Sequence, residues 1–212
     1  MVCSKAILVA TTNPGKVREL RALLGDRVQW KSLADFPGVD EVTEDGATFA
    51  ENARKKALGY ARATGLWTLA DDSGLVVDAL DGAPGVNSAR FSGDKAKGVD
   101  RKLIDRRNWE KLLSLLDGVP REKRTARFVC CLCLASPQEV LLETTGSVEG
   151  LITTEPVGTS GFGYDPVFFV PSLGRTVAQL GDEEKNAVSH RGNAMRKFKP
   201  LLGELLETEQ AG

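Results

Sequence analysis

The chain has 212 residues, 42% hydrophobic and 27% charged, with 28 Lys and Arg against 29 Asp and Glu and a net charge of −1. This length predicts one domain over residues 1–212 with enough chain to bury a core unaided, and the missing basic surplus argues against binding duplex nucleic acid. No run reaches the roughly 18 apolar residues of a membrane span, and Ala6–Ala10 is shorter than the roughly 7–15 apolar residues of a secretory signal. The expectation is a cytoplasmic protein with neither a membrane nor a nucleic-acid partner.

Apolar runs of strand length alternate with helical patterns, the signature of an α/β fold. Ala6–Ala10 reads as the first strand. It leads into Thr11-Thr12-Asn13-Pro14-Gly15-Lys16, where Asn13 stands at an N-cap and Pro14 at the first helical position. Val17, Leu20, Leu23 and Leu24 follow at helical spacing as far as Gly25. Thr48 and Glu51 have the spacing of a capping box, which opens a second helix running through Ala57, Tyr60 and Ala61 to Gly65. Trp67–Ala70 is a strand expected to end at the turn formers Asp71-Asp72-Ser73-Gly74, with Leu75–Leu80 a separate strand.

Asn108–Leu116 reads as a helix with Trp109, Leu112, Leu113 and Leu116 on one side. Thr125–Ala135 and Val140–Val148 read as strands around a turn at Ser136-Pro137. Asp182 is placed to cap the last helical stretch, which Pro200 is expected to break or kink. Of the four cysteines, Cys131 and Cys133 fall on one strand face and Cys130 on the other, with Cys3 near the N-terminus. With His190 the only histidine, they read as buried thiols and not as a zinc site.

Five segments could carry chemistry. Thr11–Lys16 offers backbone amides, hydroxyls and a cation at a helix start, which suits a phosphate or merely caps a helix. It lacks the P-loop and dinucleotide spacings. Glu41, Glu44, Asp45, Asp71 and Asp72 form a carboxylate set, the last two at a strand end, where Mg²⁺ or a polar turn would equally place them. Asn52 and Lys56 lie four apart on one helix face, within reach of a phosphate or of solvent, whereas Arg54 and Lys55 project elsewhere. Gly161-Phe162-Gly163-Tyr164-Asp165-Pro166 is either a glycine turn with Phe162 in the core or a platform on which Phe162 stacks a flat ligand. Lys185 to Gly192 holds His190 beside Arg191, a donor-only fork that would favour a purine carbonyl over an amine. No Ser-His-Asp or Cys-His pairing points to covalent catalysis.

Taken in order, Thr11–Lys16, Thr43–Ala57, Ala70–Gly93, Gly161–Pro171 and Glu183–Ala194 resemble the inosine/xanthosine triphosphate pyrophosphatase family nearly end to end. The resemblance implies two lobes around a long mixed β-sheet with flanking helices, a nucleotide cleft between the lobes, and a homodimer. It implies Mg²⁺-dependent hydrolysis of ITP, dITP and XTP to monophosphate and pyrophosphate. By the same resemblance Thr11, Thr12, Asn13, Pro14, Gly15 and Lys16 hold the phosphates with help from Lys56, and Asp72 accepts the proton of the attacking water and binds Mg²⁺. Glu44 is a second acid near the metal and Asp71 a supporting carboxylate. Ser73 contacts substrate, Phe162, Gly163, Tyr164 and Asp165 pack on base and sugar, and Lys185, His190 and Arg191 read the base.

Two features depart from the family pattern. Thr12 stands where Gly is frequent, and the stretch from Gly93 to Asn108 is longer than usual and carries Lys95, Lys97, Arg101, Lys102, Arg106 and Arg107. It reads as a solvated excursion. The competing functions are a catalytically silent nucleotide-binding regulator on the same scaffold and a pyrophosphatase for another altered nucleotide.

Overall fold

The computed structural model describes residues 5–11, 28–93 and 99–211. The expected first helix, the residues Thr12 to Lys16, and Lys95 and Lys97 lie outside the described residues. Strands β1 (Ala6–Val9), β2 (Gln29–Ser32), β3 (Trp67–Val77), β4 (Thr125–Ala135), β5 (Val140–Ile152), β6 (Phe168–Val170) and β7 (Arg175–Thr176) form one sheet in the order β2-β1-β3-β4-β5-β6-β7. β1 runs parallel to β2 and β3, while β6 runs antiparallel to β5 and β7, so the sheet is mixed. Helices α1 (Phe49–Thr64), α2 (Arg101–Leu115), α3 (Asp182–Val188) and α4 (His190–Ala211) complete the α/β fold.

The chain divides into two compact units. The first comprises Met1–Asp72, Cys130–Gly146 and Arg191–Gly212. Its core joins Ile7, Val9 and Leu69 to Ala194, Met195, Phe198 and Leu202 of α4. Each fully buried Phe or Leu there contributes about 1.5–3 kcal/mol of apolar transfer. The second comprises Ser73–Val129 and Ser147–His190, around Leu75, Leu112, Phe128, Tyr164 and Phe168.

The α1 signals hold. Thr48 Oγ1 accepts from Glu51 N at 3.2 Å, Glu51 returns the bond to Thr48 N at 3.3 Å, and Gly65 closes the helix in the left-handed region at φ 72°. Four expectations need correction. Trp67–Val77 is one unbroken strand, with no turn at Asp71–Gly74, and cationic side chains from elsewhere in the chain meet its two carboxylates. Leu80 lies not in a strand but in a 3-10 turn over Asp78–Leu80. α2 begins at Arg101, where the Asp100 side chain accepts from Lys102 N, so the basic stretch from Arg101 onward is helical. Asp182 is the first residue of α3, with Gly181 as its cap, and α4 continues through Pro200. Pro200 sits on the exposed side of α4 while Phe198 and Leu202 are buried, so core packing compensates the missing backbone bond.

Strand alternation also holds for the thiols: Cys130 joins the first unit's core, and Cys131 lies 3.4 Å from Thr145 Oγ1. Burial pushes the Cys133 thiol up from 9.0 to about 12, with Glu143 adding to the effect. The folded-state value exceeds the unfolded one, so this contribution to stability is intact below pH 9.0 and is lost as pH rises toward about 12. Urea midpoints are expected to fall across that interval, and less steeply in Cys133→Ala. An identical slope in that variant would assign the fall to other groups.

Candidate active site

Lys56 is the centre of the first cluster. It projects from α1 on the face that carries Asn52 and Tyr60, one turn to either side. Asn52 Oδ1 accepts from Gly46 N at 2.7 Å, and the Tyr60 hydroxyl accepts from Val42 N at 3.3 Å. These two bonds fix the segment that carries Glu44. Lys56 Nζ then lies 3.0 Å from Glu44 Oε2 and 3.7 Å from Asp72 Oδ1, with only 8% of the residue exposed. Burial opposes the Lys56 charge, but the fields of Asp71, Asp72 and Glu44 outweigh it and hold the ammonium above its ordinary value. It is a permanent buried cation at neutral pH.

Asp71, one residue before Asp72 on β3, accepts from Arg191 Nη2 at 3.3 Å, and both side chains are essentially inaccessible. Arg191 is the second residue of α4. Glu41 and Asp45, the other carboxylates singled out in the sequence, lie at the surface, Asp45 paired with Lys55 at 2.6 Å. That bond to Lys55 holds the Asp45 carboxyl below its ordinary value. Arg54 pairs with Glu143 at the surface.

No group of three or more His, Cys, Asp or Glu able to hold a metal occurs among the described residues. Glu44 and Asp72 nonetheless converge on one ammonium, and carboxylate oxygens are the donors that Mg²⁺ takes, one or two from protein and the rest from phosphate and water. The donor chemistry therefore fits Mg²⁺ arriving with a phosphorylated substrate. Thr11, whose amide donates to the Val9 carbonyl at 3.0 Å, is the one described residue of its loop. Ser73 continues β3, half-buried.

The second cluster lies within the second unit. Gly161, at φ 81°, turns the chain so tightly that a Cβ there would collide with Asp165 Oδ2. That oxygen accepts from Phe162 N at 2.9 Å and from Lys185 Nζ at 2.8 Å. The same ammonium lies 4.3 Å from the centre of the Phe162 ring, a cation–π contact that pins the ring. Phe162 keeps part of its surface exposed, whereas Tyr164 is 3% exposed, its hydroxyl donating to the Ser88 carbonyl at 2.9 Å. Burial raises the Tyr164 phenol far above its usual range. His190 stacks on Phe128 with ring centres 4.9 Å apart, and both line a small pocket with Asp165, Lys185 and apolar Val148 and Val170.

The structure thus brings together Glu44, Lys56 and Asp72; Asp71 and Arg191; Phe162, Asp165 and Lys185; and His190 with Phe128. Sequence reading missed the parts played by Tyr60, which looks like an ordinary apolar helix position, and by the buried Asp105 and Asn108 of α2.

A family model described as the Ham1 family matches residues 7–201. A dITP/XTP pyrophosphatase of Geobacter sulfurreducens is 54% identical over 198 residues, covering 93% of this chain and 96% of its own. One from Desulforamulus reducens is 51% identical over 200 residues, covering 94% and 96%. Among solved structures, a HAM1 protein from Coxiella burnetii matches with a TM-score of 0.83 at 39% identity, covering 94% of this chain and 99% of that one.

Proposed function

The chain belongs to the Ham1 family, and from that premise we propose that it hydrolyses ITP, dITP and XTP to the monophosphate and pyrophosphate with Mg²⁺, clearing deaminated purines from the nucleotide pool. The observation that carries this reading is the convergence of Glu44 and Asp72 on the buried Lys56 ammonium, at 3.0 and 3.7 Å. Asp72 accepts a proton from water as the water oxygen bonds to phosphorus and the α–β anhydride bond breaks, and pyrophosphate leaves. Lys56 and the segment from Thr11 to Lys16 offset the roughly four negative charges of the triphosphate. Asp72 and Glu44, with Asp71 in support, would hold Mg²⁺, which when bound would supply Lewis-acid stabilisation of charge on the phosphate oxygens. No nucleophilic side chain is required.

Phe162 packs on the base, with Gly163, Tyr164 and Asp165 shaping its segment and Ser73 contacting the substrate. Lys185, His190 and Arg191 read the base. Inosine and xanthosine present a carbonyl at position 6 where adenosine presents an amine, and the donor-only guanidinium of Arg191 favours the carbonyl. The family resemblance is the ground for proposing a homodimer acting in the cytoplasm; no described helix is long and apolar enough to cross a membrane.

The test is pyrophosphate release from ITP, XTP, ATP and GTP measured in parallel with Mg²⁺. Strong release from ITP and XTP with little from ATP is expected. Binding of ITP without release from any of the four would overturn the reading in favour of a silent nucleotide-binding protein.

A further inference from the structure

A buried aspartate in the middle of a helix is costly twice over: Asp is a weak helix former, and a desolvated charge needs partners. Asp105 of α2 is 7% exposed. Its Oδ1 lies 3.0 Å from Arg101 Nε, an ion pair without hydrogen-bond alignment to a side chain that is itself half exposed. Pairs of that kind contribute little. The well-aligned bond is elsewhere: Oδ2 accepts from Gly163 N at 2.9 Å, across 58 residues of chain.

Gly163 N and Phe162 N are the two amides that flank the Phe162 Cα. Asp165 takes one from within the loop, and Asp105 takes the other from α2. Three residues beyond Asp105, Asn108 accepts from Ser92 N at 2.7 Å and donates to the Ala89 carbonyl at 3.3 Å. It thereby steadies the segment whose Ser88 carbonyl takes the Tyr164 hydroxyl. Gly163 sits at φ 63°, a conformation with shallow local preference for glycine, so external bonds decide where the loop rests.

We propose that Asp105 is a positioning residue for recognition of the nucleobase: by holding Gly163 N it fixes the Phe162 ring in the orientation that stacks the base. The inference rests on the function proposed above. It separates the two ends of the substrate, because Asp105 acts on the base platform and not on the phosphate-binding residues.

The experiment measures kcat and KM for ITP, and the Ki of inorganic pyrophosphate as competitor, in the full-length wild type, Asp105→Ala and Asp105→Asn. Asp105→Ala is expected to raise the KM for ITP about tenfold or more, with kcat falling less than KM rises and the pyrophosphate Ki within about twofold of wild type. Asp105→Asn keeps an acceptor for Gly163 N and is expected to bring KM back to within about threefold. Should Asp105→Ala fail to fold, Asp105→Glu, which displaces the carboxylate by one methylene, is expected to show the same rise in KM with Ki unchanged. An unchanged KM in Asp105→Ala, a parallel rise of KM and Ki, or no recovery in Asp105→Asn would each overturn the proposal. Absence of ITP turnover in the wild type overturns the functional reading and this inference with it, whereas turnover with an unchanged KM overturns the inference alone.

Discussion

Asp72→Asn is expected to lower kcat for ITP by about 10²–10⁴-fold, the usual contribution of a general base, while nucleotide affinity stays within a few-fold of wild type. The substitution is isosteric, so the shape of β3 and the packing around a residue only 7% exposed are kept. What disappears is the ability to accept a proton from water, together with the negative charge that Asp72 would offer Mg²⁺, for which Glu44 remains. Lys56 retains Glu44, the nearer of its two carboxylates at 3.0 Å against 3.7 Å for Asp72, so the ammonium stays in place to meet phosphate. Single-turnover kinetics with ITP, alongside equilibrium binding of ITP under non-hydrolysing conditions, separate the two effects. Turnover near the wild-type rate would remove Asp72 from the proton-transfer step. Equal losses in binding and turnover would reassign it to substrate or metal binding.

The reach of the sequence in this chain follows the range of the interactions involved. The α1 helix was legible to the residue because its signals are local: Thr48 and Glu51 cap each other within one turn, and Gly65 supplies a left-handed end. The sequence misleads at Asp71–Gly74 because the same three residue types that make turns also occur in a strand when distant cations meet the two Asp charges. Those cations, Lys56 on α1 and Arg191 on α4, lie outside any local window. Of the break or kink expected at Pro200, the break does not occur, since buried Phe198 and Leu202 hold α4 to its core across the lost bond. Asp105 sits among Arg101, Lys102, Arg106 and Arg107 and reads as one charge on a solvated face. Only the fold brings Gly163 to it. The resemblance named chemistry-bearing segments that propensity alone left evenly balanced, and it named no role for residues such as Asn52, Tyr60 and Asp105 that hold those segments in place.

The pair of Asp71 and Arg191 gives the largest expected effect on stability. Both side chains are at most 2% exposed, and 120 residues of sequence separate them, so the pair ties the start of α4 to β3 inside the first unit. Removing one partner of a buried ion pair typically costs about 3–5 kcal/mol, most of it the penalty of leaving the other charge in a low-dielectric interior. Arg191→Met should therefore lower the unfolding free energy by about that amount, and Asp71→Asn together with Arg191→Met should recover most of the loss, because no formal charge then remains buried at the pair. Urea titrations of the wild type, the two single variants and the double variant complete the cycle. A loss in the double variant equal to the sum of the losses in the two single variants would show that the pair is not coupled and that Arg191 acts through packing alone. The double variant also isolates base selection from folding. Asp71 adjoins Asp72, so its substitution changes absolute rates, but it changes them for every nucleotide alike. The ratio of ITP to ATP turnover is then governed by the missing guanidinium, and it is expected to narrow toward unity. A ratio as large as that of the wild type would mean that the purine carbonyl is read by a donor other than Arg191.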